Sequence, residues 1–171
     1  MTEKRLQRRL AAIAIADVVG FSRMMGQDEA GTLAALTHRR KWIVDPVVRR
    51  HDGRIVKVMG DGVLLEFGSA INAVNAAMEL HQRMAAANVD VPADRQIVLR
   101  MGINLGDVIV EGTDVYGEGV NIAARLESMA PVGGTVISGG AYDQVRNKVA
   151  AVLEDLGPQS LKIRPWRAGR D

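Results

Sequence analysis

Between residues 97 and 105 apolar side chains fall at every second position. Ile97, Leu99, Met101, Ile103 and Leu105 alternate with Val98, Arg100, Gly102 and Asn104. A strict period of two sends one set to a core and the other to the opposite face, so this stretch predicts a strand in a sheet with something packed on it. Two other stretches belong to the same sheet. Residues 11–16 form a short apolar run bounded by charge, the pattern of a buried strand. Residues 55–59 and 63–67 are apolar runs joined by Gly60-Asp61-Gly62, and an Asp-Gly step between such runs predicts a hairpin.

Helical spacing fills the intervals. Leu33, Leu36, Ile43 and Val47 mark one helix, which Pro46 should kink or end near Asp45. Ser69 should cap a second, with Ile71, Val74 and Met78 on its apolar face. Residues 88–95 read as a loop. Gly106-Asp107 is expected to turn the alternating strand back into another at 108–110. A helix over about 120–129, a strand at 135–138, a short helix near Tyr142 and a last strand near 152–156 complete the reading. This order predicts an α+β fold: a ferredoxin-like βαββαβ core with a largely antiparallel sheet and helices on one face, extended by a C-terminal αβ segment. Residues 1–171 are expected to form a single domain.

Composition narrows the function classes. Twenty-two basic residues against 20 acidic ones leave a formal charge of +2, without the excess a dedicated nucleic-acid binder carries. The aromatics Phe21, Trp42, Phe67, Tyr116, Tyr142 and Trp166 are scattered rather than grouped to stack bases, so no nucleic-acid partner is expected. Cysteine is absent, which removes thiol catalysis and thiolate metal sites and suits a reducing compartment, read here as the cytoplasm. No apolar run approaches the roughly 20 residues of a membrane span. Lys4, Arg5, Arg8 and Arg9 precede the first apolar run without a cleavage site, so no leader is expected. There is no Gly-rich phosphate loop, dinucleotide fingerprint or nucleophile elbow. His38, His51 and His81 stand at no ligand spacing and read as surface or half-buried residues, and 38–41 as a solvated basic helix face.

Two carboxylates carry more. Asp17 closes the first strand, and Asp61 lies at the hairpin tip. Taken singly, the first reads as a helix cap and the second as a turn former. If the hairpin pairs beside the first strand, both emerge at one end of the sheet. Oxygen donors without His or Cys suit Mg²⁺ or Mn²⁺, which also draw ligands from substrate phosphates. The turn over residues 18–22, opening a helix, offers backbone N–H groups to a phosphate. The set fits two-metal phosphoryl or nucleotidyl chemistry.

Three stretches in order resemble the class III nucleotide cyclase catalytic domain, the adenylate/guanylate cyclase family, and the likeness is to its bacterial members. They are Asp17-Val18-Val19-Gly20-Phe21-Ser22, Lys57-Val58-Met59-Gly60-Asp61-Gly62, and residues 114–125 from Asp114-Val115-Tyr116 through Asn121 to Arg125. The likeness runs from about residue 11 to 162. It implies conversion of a nucleoside triphosphate to a 3′,5′-cyclic monophosphate and pyrophosphate. It implies that Asp17 and Asp61, with the Val18 carbonyl, hold two divalent cations, Mg²⁺ or Mn²⁺. Phe21 and Ser22 would lie against the phosphates, Asn121 would position the ribose, and Arg125 would stabilise charge on the α-phosphate. Lys57 and Asp114 would read the base. A donor ammonium and an acceptor carboxylate match adenine N1 and N6, which points to ATP. Lys162 stands where the family carries a phosphate-binding lysine, and residues 166–171 are expected to break off where a strand would continue.

The family places its sites between two catalytic domains. The expectation is a homodimer with Asp17 and Asp61 from one chain and Lys57, Asp114, Asn121 and Arg125 from the other, with a fused or separate regulatory domain as a possible companion. Two rival readings stay open: a guanylate cyclase, and a catalytically silent nucleotide-binding or dimerisation module.

Overall fold

The computed structural model describes residues 6–150, 153–155 and 166–168. In chain order the elements are β1 (Gln7–Val18), α1 (Phe21–Gln27), α2 (Glu29–Arg39), α3 (Asp45–Arg50), β2 (Gly53–Met59), β3 (Gly62–Phe67), α4 (Ala70–Ala87), β4 (Leu99–Glu111), β5 (Asp114–Tyr116), α5 (Glu118–Met129), β6 (Thr135–Ile137), α6 (Gly139–Val145), β7 (Leu153–Asp155) and β8 (Trp166–Ala168). The sheet runs β2-β3-β1-β4-β6-β8-β7, with β5 paired to β4. Its first four strands are mutually antiparallel in the ferredoxin-like βαββαβ order. β6 joins β4 in parallel.

Alternation in β1 explains the layering. Ala12, Ala14 and Ala16 point into a core shared with Met24, Leu36, Val47, Val48, Leu80 and Val145 from five helices. Ala11, Ile13 and Ile15 point the other way and meet Leu64, Val108, Val115 and Ala123, the last from α5. Helices therefore cover both faces, not the one face expected. Glycine is the reason. A Cβ on Gly102 would stand 2.3 Å from the Ala123 carbonyl and the Glu127 nitrogen, and one on Gly119 would stand 2.4 Å from the Asp107 carbonyl. α5 thus lies backbone-to-backbone on β4. Asn104, which read as an outward polar residue, is buried and donates from Nδ2 to the Gly119 carbonyl at 3.0 Å.

Other expectations change in detail. Gly106-Asp107 is not a turn: β4 continues through it, paired with β1 from Val18↔Leu99 to Gln7↔Val110, and the reversal comes at Gly112, whose φ is 61°. The first helical stretch does not stop at Pro46. It widens into a π-type turn over Arg40–Val44, in which the Asp45 N–H reaches the Arg40 carbonyl, and restarts as α3 with the proline in its first turn, where a missing N–H costs nothing. Leu33 is exposed, and Thr32 and Leu36 fill the buried side of α2. Trp166–Ala168 is a strand, pairing with β6 and β7, where the sequence reading expected the sheet to break off. The β2–β3 hairpin forms as expected, and Ser69 Oγ accepts from the Asn72 N–H at 3.1 Å. Among the described residues no helix is long and apolar enough to cross a membrane.

Candidate active site

The C-terminal end of β1 and the tip of the β2–β3 hairpin meet. Asp61 Oδ2 accepts from the Val18 N–H at 3.1 Å, which fixes one carboxylate to the backbone beside the other. Gly62 makes the approach possible, since a Cβ there would sit 3.0 Å from the Ala16 carbonyl and 3.4 Å from Asp17 Cβ. Gly60 supplies the left-handed turn, with φ 60°. Asp17 and Asp61 are half-buried, while the Val18 side chain is core.

A third carboxyl stands behind them. Glu127, buried on α5, is in hydrogen-bonding reach of Asp17. Burial first, then that bond and the charges of Asp17 and Asp61, push its carboxyl well above the ordinary range, and Arg100 opposes the rise. Arg100 is the cross-strand partner of Asp17, and its buried Nε has no hydrogen-bond acceptor among the described residues. Burial, and then the negative charge gathered here, disfavour ionisation of Glu127. Two carboxylates and a nearby backbone carbonyl are hard oxygen donors, and this unbalanced charge suits a divalent cation. Among the described residues no three acidic or imidazole side chains converge on one metal position.

The second pair is also together. Lys57 Nζ donates to Asp114 Oδ1 at 3.0 Å, with the side chains 41% and 46% exposed. A bulge in β2 arranges this. Arg54 opposes Glu66 and Ile55 opposes Leu65, but Lys57, not Val56, opposes Leu64. The extra residue turns Lys57 to the face that carries Glu66 and Leu64, toward β5.

Asn121 and Arg125 lie one turn apart, exposed on the outer side of α5, away from buried Ala123, Leu126 and Glu127. Neither is bonded to either pair. Phe21 opens α1 half-buried against the core, and Ser22 follows it, exposed, after the left-handed Gly20 at φ 73°. Lys162 lies outside the described residues. Histidine takes no part at this end. His51 Nε2 meets Glu79 Oε1 at 3.1 Å, and His81 Nε2 meets Thr135 Oγ1 at 2.8 Å with its pKa pushed down to about 4 by burial.

Residues 6–167 match the family model described as the adenylate and guanylate cyclase catalytic domain. The chain belongs to that family. A putative adenylate cyclase 3 of Rhizobium meliloti is 50% identical over 162 residues, covering 95% of this chain and 28% of that protein. An adenylate cyclase of Streptomyces coelicolor is 33% identical over 89% of this chain and 38% of its own length. This cyclase chain thus spans well under half of those relatives. The crystal structure of an adenylate/guanylate cyclase/hydrolase from Silicibacter pomeroyi superposes with a TM-score of 0.89 at 36% identity, covering 98% of this chain and all of the other.

Four residues of this cyclase domain escaped the sequence reading: Glu127, Arg100, Arg54 and Glu66. Glu127 had a signal, since it follows Ala123 by four positions and Leu126 by one and so falls on the buried face of its helix. Glu66 sits inside an apolar run, where a carboxylate needs a partner.

Proposed function

We propose that this domain is an adenylate cyclase. It converts ATP to 3′,5′-cyclic AMP and pyrophosphate by attack of the ribose 3′-hydroxyl on the α-phosphate, in the cytoplasm, as one catalytic domain whose sites are shared by two copies. The observation that carries the cyclase chemistry is the convergence of Asp17 and Asp61 through the Val18 N–H. These two carboxylates, with the Val18 carbonyl, would hold two divalent cations, Mg²⁺ or Mn²⁺. Bound there, such cations would make the 3′-hydroxyl a better nucleophile and neutralise the phosphates.

The other roles belong to the protein alone. Arg125 balances charge on the α-phosphate as pyrophosphate leaves; a guanidinium suits this because it is planar and permanently charged. Asn121 orients the ribose one turn earlier on the same face. Backbone N–H groups at Phe21 and Ser22 lie against the phosphates, and Lys162 is assigned to the triphosphate. No histidine stands at the acidic end to take the 3′-hydroxyl proton, which leaves Asp17, water or the substrate as acceptor. Preference for ATP rests on the Lys57–Asp114 pair. Its ammonium donates to adenine N1 and its carboxylate accepts from N6, whereas guanine reverses both partners.

Sharing between chains is supported by the outward placement of Asn121 and Arg125, away from the acids of their own chain. Inactive Asp61→Asn and inactive Arg125→Ala chains, mixed, should recover roughly a quarter of wild-type turnover, because half of the dimers regain one of two sites. No recovery despite demonstrated subunit exchange rejects shared sites. Turnover of ATP against GTP with Mn²⁺, across protein concentrations, tests the rest. GTP preference makes the domain a guanylate cyclase, and nucleotide binding without cyclic product makes it a silent module.

A further inference from the structure

Glu66 is a carboxylate in the middle of the sheet, its side chain 8% exposed. Two guanidinium groups hold it. Arg9 of β1 donates from Nη2 to Oε1 at 3.0 Å and pairs with Oε2 through Nη1. Arg54 of β2 donates from Nε to Oε1 at 2.9 Å. Burial works to raise the Glu66 pKa, but the bonds and charges of the two arginines reverse this and leave it lowered. Such an anion is ionised, paired and fixed in place.

Arg54 has a second attachment. Its Nη1 donates to the Thr113 carbonyl at 2.8 Å, in the reversal between β4 and β5, and the next residue is Asp114. The β2 bulge puts Arg54 and Lys57 on one face. The outer strand of the sheet is therefore tied twice to that reversal, at consecutive residues: by Arg54 to the Thr113 backbone and by Lys57 to the Asp114 side chain. The two ties differ in kind. The Lys57 pair is half-exposed and must let go for both groups to face a base. Arg54 is oriented on one side by Glu66 and reaches the backbone with the other, a planar fork that a lysine does not reproduce.

We propose that Arg54, held by Glu66 and Arg9, is a positioning residue for base selection. It pins the backbone at Thr113 so that Asp114 keeps its height against the base when Lys57 releases it. Recognition of this kind loses its discrimination when a group sits about 1 Å out of place. The proposal rests on the reading that Lys57 and Asp114 contact the base.

The experiment compares kcat and KM for ATP and GTP, with Mn²⁺, in the full chain and in Arg54→Met, Asp114→Asn and the double variant. Arg54→Met should raise KM for ATP roughly tenfold, leave kcat within about threefold, and lower the ATP-to-GTP ratio of kcat/KM roughly tenfold. The double variant should show the ratio of Asp114→Asn alone, since Arg54 acts through a residue already lost. Three results overturn the proposal: an unchanged ratio in Arg54→Met, an equal loss of kcat on both nucleotides, or full additivity in the double variant. If Asp114→Asn leaves the ratio intact, the base reading itself fails, and the fault is then located at Asp114 rather than at Arg54. Should Arg54→Met show no cooperative melt, Arg54→Lys decides by the same ratio. It keeps the charge beside Glu66, loses the reach to Thr113, and should lower the ratio about threefold.

Discussion

The acidic end and the Lys57–Asp114 side of this domain are built on different principles. At the acidic end, Asp61 is bonded to a backbone N–H, Gly62 lets the hairpin touch β1, and α5 lies directly on β4 at Gly102. Little there can move without moving the sheet. On the other side, Lys57 and Asp114 reach each other through half-exposed side chains, across strands that share no ladder hydrogen bond. An ion pair so exposed contributes at most about 1 kcal/mol to stability. The contrast teaches a division of labour: the two acids are set by the main chain, and Lys57 and Asp114 by side chains that can be exchanged at low cost to the fold.

Asp61→Asn should produce the largest change, lowering turnover of ATP and GTP alike by roughly 10³-fold in a Mn²⁺ assay while the melting curve stays near wild type. A loss confined to one nucleotide would blur the division. Gly102→Ala comes next. Its methyl group would strike the Ala123 carbonyl and the Glu127 nitrogen, so urea denaturation should register a loss of about 3 kcal/mol. Asp114→Asn should reverse this profile: the ATP-to-GTP ratio of kcat/KM falls roughly 10–100-fold, with less than about 1 kcal/mol of stability lost.

The smallest effect is in pH. Glu127 has a raised pKa in the folded domain, so the folded state holds a proton that the unfolded chain releases in the ordinary carboxylate range. Its contribution to stability is therefore complete below that range and is lost as pH climbs through the folded value. Thermal melts without divalent cations should drop as pH rises from about 5 to 9, and Glu127→Gln should flatten that slope. An unchanged slope in the variant would assign the pH response to other groups.

Much of this was legible in the chain itself. The run at 11–16, the Asp-Gly hairpin and the Ser69 cap are local signals, and local signals read well. The second helix-covered face was not legible, because Gly102 in an alternating strand says only that a side chain is absent, not that a helix fills the space. Gly106 misled for a related reason. Its missing Cβ leaves room for the Asn104 amide, 2.8 Å from where that atom would be, rather than for a turn. Asp17 with Asp61 and Lys57 with Asp114 were singled out in the sequence, and the structure brings the members of each pair together. Arg54 with Glu66 was not, since their pairing depends on a register shift between strands and leaves no trace in spacing along one strand.

That shift at Val56 limits how this family member can change length. Removing Val56 would restore regular alternation and leave Lys57 opposite Leu64. Removing a residue between Lys57 and the hairpin tip would instead turn position 57 to the Val63 side, under the helices, burying an ammonium in the alanine-rich core while Val56 took its place opposite Leu64. Across related chains, single-residue gaps in this strand should accordingly fall at the bulge, and a gap between Lys57 and the hairpin tip should be matched by a compensating slip there.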